Sequence, residues 1–163
     1  SLTPASSLIP ASSVIPAQAG IHAQCSTLTI HFLTPTRIIY QGRMARRPQF
    51  HVLMRSLLRR LWLLAYFHDE PVDMDHKRLI ALAEKIRLAD AVMAGDDWAH
   101  YSSRQQRLIE TEGVTGWITY EGELGPFLPY LQAGELLHVG KGTAFGMGRY
   151  RILNRKEKDE RTE

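Results

Sequence analysis

The chain has 163 residues, 44% of them hydrophobic, which suffices for one ordinary core but leaves no room for a second full domain. Its one cysteine, Cys25, excludes an intramolecular disulfide framework and a multi-cysteine zinc site, and it favours a reducing cytoplasm. No apolar run approaches the roughly 18 residues that a bilayer span requires, and the start lacks the basic region of a secretory signal, so no membrane association is expected.

The distribution of charge is more informative than the formal net charge of +3, because no Asp or Glu precedes Asp69. Seven arginines occupy this acid-free part: Arg37, Arg43, Arg46, Arg47, Arg55, Arg59 and Arg60. Such an excess predicts an anionic partner. Two alternatives remain open, namely that arginine-rich helices are merely well solvated, or that the acid-free start imitates an organelle transit peptide.

Residues 1–26 are expected to form a disordered leader outside the fold. They contain a hexapeptide twice, Ala-Ser-Ser-Leu-Ile-Pro and then Ala-Ser-Ser-Val-Ile-Pro, and regularly placed prolines among small residues favour extended, solvated backbone. Residues 14–22 resemble the translation of an interspersed bacterial DNA repeat, which suggests a replaced upstream region or a misassigned start. The predicted domain covers residues 27–153, followed by a charged, frayed tail at residues 154–163.

The front of the predicted domain contains a strand and a long amphipathic helix. Residues 27–31 alternate Thr, Leu, Thr, Ile and His ahead of Pro35, which is typical of a strand. The helix is predicted from apolar residues at spacings of three and four: Phe50, Leu53, Leu57, Leu61 and Leu64. Opposite this stripe the helix carries a basic and aromatic ridge: His51, Arg55, Arg59, Trp62 and Tyr66.

The rest of the domain is predicted to alternate helices and strands. Asp73 or Asp75 is expected to cap a second helix, whose buried stripe is Leu79, Leu82, Ala83 and Ile86. An irregular polar stretch at residues 96–105, a strand at 114–120 and a helix from Gly125 to about Gly134 follow. Residues 136–139 and 149–153 are predicted as the last strands. This order favours an α+β sandwich.

Residues 140–150, Gly-Lys-Gly-Thr-Ala-Phe-Gly-Met-Gly-Arg-Tyr, form a glycine-rich loop between the last two predicted strands. Glycine lets backbone amides approach a phosphodiester and converge on its oxygens, and aromatic rings offer stacking for bases. A P-loop is excluded because Gly142 follows Lys141, and the dinucleotide fingerprint fails because Phe145 and Arg151 occupy its third glycine position. The alternative is a hairpin whose glycines only satisfy tight turns.

Several segments together resemble one family. Residues 116–130 (Gly-Trp-Ile-Thr-Tyr-Glu-Gly-Glu-Leu-Gly-Pro-Phe-Leu-Pro-Tyr) and 137–150 are similar to the carboxy-terminal domain of CRISPR-associated precursor-crRNA endoribonucleases of the RAMP superfamily. Residues 32–37 (Phe-Leu-Thr-Pro-Thr-Arg) and 98–105 (Trp-Ala-His-Tyr-Ser-Ser-Arg-Gln) extend the resemblance, which covers residues 27–153. Full-length relatives carry two such domains, often with a catalytic histidine on the first, where this chain has the leader.

The resemblance implies a ferredoxin-like, RRM-like sandwich, with helices on one face of an antiparallel sheet. It also implies a glycine-rich loop that holds CRISPR repeat RNA, and cleavage by the ribose 2′-hydroxyl that needs neither metal nor cofactor and leaves a 2′,3′-cyclic phosphate. Proteins of CRISPR effector complexes are further expected partners in antiviral defence. Two functions remain open, an endoribonuclease that processes precursor crRNA and a non-catalytic RNA-binding fragment without the amino-terminal catalytic domain.

These interpretations select the candidate site residues. RNA contacts are expected from the loop and the arginine-rich part: Gly140, Lys141, Gly142, Gly146, Gly148, Arg149, Tyr150, Arg104, Arg55 and Arg59. His138, two residues before the loop, is the candidate general base or acid, with a structural strand residue as the alternative. The carboxylates Asp96, Asp97, Glu121 and Glu123 are interpreted as turn and cap residues, so no metal site is predicted, and Trp98 and Trp117 as core aromatics.

Overall fold

The computed structural model describes residues 25–69, 73–102 and 107–153, with residues 96–102 and 107–111 described by their backbone alone. The predicted tail at residues 154–163 and residues 1–24 of the predicted leader lie outside these ranges. Cys25 and Ser26 join the fold, since their carbonyl oxygens accept hydrogen bonds from the amides of Leu124 (3.1 Å) and Gly122 (3.0 Å).

Six strands and three α-helices make up the described chain. In chain order they are β1 (Thr27–Thr36), β2 (Ile39–Tyr40), β3 (Arg43–Met44), α1 (Phe50–Phe67), α2 (His76–Ala83), β4 (Arg87–Ser102), β5 (Arg107–Glu121), α3 (Leu128–Leu137) and β6 (Tyr150–Leu153). Short 3-10 turns at Gly125–Phe127 and Thr143–Phe145 precede α3 and β6. No helix in the described ranges combines the length and apolarity needed to cross a lipid bilayer.

The main sheet has four strands in the order β4-β5-β1-β6, and every neighbouring pair is antiparallel. Ile30 in the middle of β1 pairs with Ile118 of β5 on one side and with Ile152 of β6 on the other. With α1 and α2 following β1, and α3 joining β5 to β6, this is the strand order of a ferredoxin-like βαββαβ unit. The predicted α+β, ferredoxin-like class is confirmed.

The core lies between one face of the sheet and the helices. Alternate residues of β1 are buried on that face, as the period of two requires: Leu28, Ile30 and Phe32. The predicted stripe of α1 is confirmed at Phe50, Leu53 and Leu57, which have no exposed surface. The Phe50 ring packs edge-on against the rings of Tyr120 and Phe127, with 5.0 Å between centroids in each case. Each buried side chain of this size contributes about 1.5–3 kcal/mol.

The predicted strand at residues 136–139 is wrong, because α3 continues to Leu137 and passes through Gly134 without ending. Gly134 is needed for close packing: a Cβ there would collide with the hydroxyl of Tyr150 and approach Leu57 Cδ1 to 2.7 Å. A glycine at this position predicts a helix stop, but its close contact with Tyr150 and Leu57 explains it instead. The helix ends three residues later, at Leu137, with His138 as its C-cap.

The predicted irregular stretch at residues 96–105 is also wrong where the structure describes it. β4 continues through Ser102 and pairs with β5 along this whole stretch. The last pair joins Ser102 to Arg107, the first residue of β5. Beyond the pair Gly95 and Val114, β1 no longer accompanies β5, so this part is a two-stranded hairpin. Its composition is polar, so backbone pairing rather than apolar alternation accounts for the strands here.

The second helix is shorter than predicted. Asp75 caps α2, as one of the two expected options, by accepting a hydrogen bond from the Arg78 amide at 3.1 Å. The helix ends at Ala83, so Ile86 follows it as a separate buried residue. Ile86 instead packs beside Gly122, where a Cβ would lie 2.6 Å from the Ile86 Cδ1.

Two buried tyrosines anchor the layers through their hydroxyls. Tyr120 donates to the Pro48 carbonyl oxygen (2.8 Å), and Tyr150 donates to the Leu131 carbonyl oxygen (2.6 Å). Burial raises the pKa of both phenols, and the negative charge of Glu135 raises the pKa of Tyr150 further. Both hydroxyls therefore stay protonated and act as donors in the folded chain.

We predict that Tyr150→Phe lowers the free energy of unfolding by about 1–3 kcal/mol at pH 7, because the Leu131 carbonyl loses a buried donor. The raised pKa adds a pH dependence. The neutral phenol stabilises the fold fully below the unfolded pKa of about 10, and this contribution is lost as the pH rises above it. Urea titrations at pH 7 to 11 should therefore show a smaller alkaline loss in Tyr150→Phe than in the wild type. Tyr66→Phe, at an exposed ring, is the control, and equal alkaline losses in all three proteins would contradict the assignment.

Candidate functional site

The loop at residues 140–149 connects α3 to β6, and its returning half is fastened to the end of β1. The Gly148 amide donates to the Pro35 carbonyl oxygen at 3.0 Å. The Thr34 hydroxyl donates to the Gly146 carbonyl oxygen at 2.8 Å and accepts from the Arg149 amide at 3.0 Å. Gly148 also lies close to Val139. A Cβ on Gly148 would collide with the Val139 carbonyl, so residue 148 must be glycine. The end of β1 thus sets the position of the loop.

The outgoing half of the loop lies against the chain that follows β1. Lys141 pairs with Arg37 in an isolated antiparallel bridge, in which the Lys141 amide donates to the Arg37 carbonyl oxygen at 2.8 Å. Gly140 has φ +85°, and a Cβ there would collide with the same carbonyl. Glycine at this position therefore brings two basic residues, distant in sequence, side by side.

The expectation that the loop amides converge on a phosphate stays a prediction, and several of these amides already donate within the protein. Beyond the bonds to β1, the amides of Phe145 and Met147 donate to the Gly142 carbonyl oxygen, and the Gly146 amide donates to the Thr143 carbonyl oxygen. These donors are used to fold the loop on itself. The backbone of Lys141 is held separately, by its bond to the Arg37 carbonyl oxygen.

A cleft of about 520 Å³ lies between α1 and the outgoing half of the loop. Five basic side chains line it: Arg37, Arg55, Arg59, Arg60 and Lys141. The structure thus brings together four of the predicted site residues, Gly140, Lys141, Arg55 and Arg59. Arg37 and Arg60 are not among the predicted site residues. Both belong to the acid-free part of the sequence, and the excess of arginine there is the signal that could have indicated them.

Two of the five cations have protein partners. The Arg60 Nε donates to the Leu137 carbonyl oxygen at 2.7 Å, which ties α1 to the end of α3, where a cation is favourable. Arg55 forms a salt bridge with Glu84 at 3.1 Å, but the two side chains are 41% and 53% exposed, so the pair contributes at most about 1 kcal/mol. Within the described residues, Arg37, Arg59 and Lys141 form no ion pair. The cleft is therefore strongly positive.

His138 lies at the junction of α3 and the loop rather than in a strand. Its amide donates to the Gly134 carbonyl oxygen at 2.7 Å, and its backbone has φ 64° and ψ 170°. This conformation is essentially restricted to glycine and costs a residue with a Cβ about 1–3 kcal/mol. The side chain is partly buried and is not among the residues that line the cleft.

The other predicted site residues are dispersed. Tyr150 is 1% exposed and its ring packs in the core, so the expectation that it contacts RNA is wrong. Arg149 is exposed at the end of the loop but does not line the cleft, and the same holds for Gly142, Gly146 and Gly148. Arg104 lies outside the described residues. Phe145, 58% exposed, is the aromatic residue that the loop does present to solvent.

The carboxylates that were interpreted as turn and cap residues lie elsewhere. Asp96 and Asp97 lie within β4, so they are strand rather than turn residues. Glu121, at the end of β5, forms a salt bridge with Arg87. Among the described side chains, no group of three or more His, Cys, Asp or Glu is arranged to hold a metal ion.

Comparison with protein families gives one match, to the CRISPR-associated endoribonuclease Cas6, over residues 30–150. The chain belongs to the Cas6 family. The matched region begins within β1 and ends at the first residue of β6, so it includes the cleft and the whole glycine loop. This confirms the family to which the sequence motifs pointed. Comparison with curated proteins gives no significant match.

Solved Cas6 structures share the fold of this Cas6-family chain. A Cas6 product complex has a TM-score of 0.54 at 21% identity, with 85% of this chain and 57% of that chain covered. A Thermus thermophilus Cas6 has a TM-score of 0.58 at 24% identity, with coverage of 78% and 53%. A partial Cas6-RT-Cas1–Cas2 complex gives 0.60 at 14% identity, with coverage of 86% and 25%. The chain therefore spans little more than half the length of the first two.

The close approach of Gly148 to Val139 can be tested with two glycines of almost equal φ. Gly148 has φ +76° and no room for a Cβ, whereas Gly42, in the turn between β2 and β3, has φ +78° and nothing within 4 Å. We expect Gly42→Ala to cost about 1 kcal/mol from backbone conformation alone. Gly148→Ala should cost at least about 2 kcal/mol more, because the backbone at residue 148 must move away from the Val139 carbonyl. Thermal and urea unfolding measure both, and equal losses would contradict the close approach.

Proposed function

We propose that this chain binds CRISPR repeat RNA in the basic cleft and takes part in metal-independent processing of precursor crRNA. The observation that carries the proposal is a set of three cations, Arg37, Arg59 and Lys141, that line one cleft beside the glycine loop of a Cas6-family domain and form no ion pair with any described residue. We assign this role to the predicted domain at residues 27–153, and we place it in the cytoplasm, which suits a chain with one free cysteine.

The phosphate backbone of RNA matches this cleft in charge and in form. Cations fixed on a helix and on an anchored loop form a positive groove, and such grooves follow a single strand largely independently of its sequence. Arg55 has a buried Nε that lacks a hydrogen-bond partner among the described residues, and its bond to Glu84 is exposed and weak. A phosphate can therefore displace Glu84 at little cost, which would add a fourth cation to the interface.

The proposed cleavage uses the ribose 2′-hydroxyl of the RNA as its nucleophile. A bond forms between O2′ and phosphorus while the bond from phosphorus to O5′ breaks, giving a 2′,3′-cyclic phosphate and a 5′-hydroxyl. One group must accept the O2′ proton, another must protonate O5′, and a cation must stabilise the extra negative charge. We assign the cation to Lys141 and one proton transfer to His138, whose strained backbone is typical of functional sites.

The second candidate function is RNA binding without cleavage. One observation favours it: His138 does not line the cleft. A partner that supplies a proton-transfer group would then complete the site. One of the matched structures is a Cas6-RT-Cas1–Cas2 complex, and we propose other CRISPR proteins, including those of effector complexes, as the class of partner.

The role of the cleft can be tested with a charge-matched pair of double variants. Arg59→Ala with Lys141→Ala removes two cleft cations, whereas Lys77→Ala with Arg78→Ala removes two exposed cations from α2. The first should weaken binding of a repeat RNA and lower the slope of log K against log salt by about 1.4, or 0.7 for each lost phosphate contact. Titration by fluorescence anisotropy at several salt concentrations measures this. Equal losses for the two proteins would rule out the cleft as the binding site.

The role of His138 can be tested with His138→Gly, which removes the imidazole and also relieves the strained backbone. We expect this variant to fold at least as stably as the wild type and to bind RNA with similar affinity. Its single-turnover cleavage should be slower by about 100-fold or more. Cleavage by the wild type should persist in excess chelator. An undiminished rate in the variant would exclude His138, and a wild type that binds without cleaving would establish the second candidate.

A further inference from the structure

The last two turns of α1 present a cluster of exposed aromatic rings. Trp62, Tyr66 and Phe67 are 48%, 65% and 76% exposed. The rings of Trp62 and Tyr66 are stacked, with centroids 5.4 Å apart and planes inclined by 17°, and Phe67 meets Tyr66 edge-on at 5.7 Å. We call these three residues the aromatic platform. Adjacent aromatic rings with this much exposed surface mark an interaction site more often than a chance arrangement.

The aromatic platform is continuous with the basic cleft. Phe67 is both a member of the platform and a residue that lines the cleft. Arg59, Trp62 and Tyr66 follow one another at spacings of three and four residues, so they share one side of α1. With a rise of about 1.5 Å per residue, Tyr66 lies roughly 10 Å beyond Arg59 along the helix axis. A strand that leaves the cleft along α1 therefore passes directly onto the rings.

We propose that the aromatic platform stacks on unpaired bases of the RNA strand whose phosphates occupy the cleft. This inference rests on the proposed function and adds to it a preference for single-stranded RNA. The planes of Trp62 and Tyr66 are nearly parallel and therefore preset, and the two residues are 48% and 65% exposed, which leaves ring surface for a base. Bases in a duplex are stacked on one another already, whereas single-stranded bases have exposed faces.

Charge favours RNA over a protein as the occupant. Arg59 and the other cations of the cleft lie beside the rings, and α1 contains no acidic residue. A partner must therefore combine negative charge with flat apolar groups at regular spacing, which is the chemistry of a single nucleic-acid strand. Stacking of this kind tolerates any base, so affinity rather than sequence specificity is the expected contribution.

The experiment compares two oligoribonucleotides of equal length, one with bases and one with abasic sugars, so that both carry the same phosphates. The variants are Trp62→Ala, Tyr66→Ala and the conservative Trp62→Phe, and Leu136→Ala on α3, at an 84% exposed apolar residue, is the control. We expect each alanine variant to bind the base-containing strand about 10-fold more weakly, with the abasic strand and the salt dependence unaffected. Trp62→Phe and Leu136→Ala should bind both strands like the wild type.

Three results would overturn the proposal. Equal affinity of the wild type for both strands means that bases add nothing, and the rings then belong to a protein surface. Equal loss on both strands in the alanine variants means that the substitutions damage the cleft instead of removing a stacking contact. If the wild type binds neither strand at low salt, the proposed function itself fails, and this result differs from the first because the phosphates are then not recognised either.

Discussion

The hydrogen bonds between the end of β1 and the glycine loop are the constraint on which the functional surface depends. The amides of Gly148 and Lys141 donate hydrogen bonds to the carbonyl oxygens of Pro35 and Arg37, respectively. The Thr34 hydroxyl bridges the Gly146 carbonyl oxygen and the Arg149 amide. These contacts join the centre of the sheet to the segment between α3 and β6, about a hundred residues later in the chain. Without them Lys141 would have no defined position opposite α1, and the cleft would lose one wall.

α1 contributes to three surfaces at once. One side of the helix is buried in the core through Phe50, Leu53 and Leu57, a second side lines the cleft with Arg55 and Arg59, and its end carries the aromatic platform. The complete absence of acidic residues from this helix has a physical explanation in this arrangement. A carboxylate on the cleft side would pair with the arginines and reduce the positive potential of the cleft.

His138 illustrates the difference between a residue that the fold needs and one that the fold tolerates. A glycine at the end of α3 would adopt φ 64° and ψ 170° without strain, and the loop that follows uses glycine at each of its positive-φ positions. Histidine at this junction therefore lowers stability, and a chemical role would account for its presence.

The sequence by itself determined the family, the α+β class, the first strand, the stripe of α1 and the acid-free arginine region, because these depend on local periodicity, composition and motif. It failed where long-range contacts decide the structure. Gly134 predicts a helix stop, but in the structure it makes room for the Tyr150 hydroxyl. Tyr150 was expected at the RNA surface, but pairing of β6 with β1 turns its ring into the core. Only the tertiary structure brought Arg37 and Arg60 to the same cleft as Lys141, since no local pattern records which distant segments become neighbours.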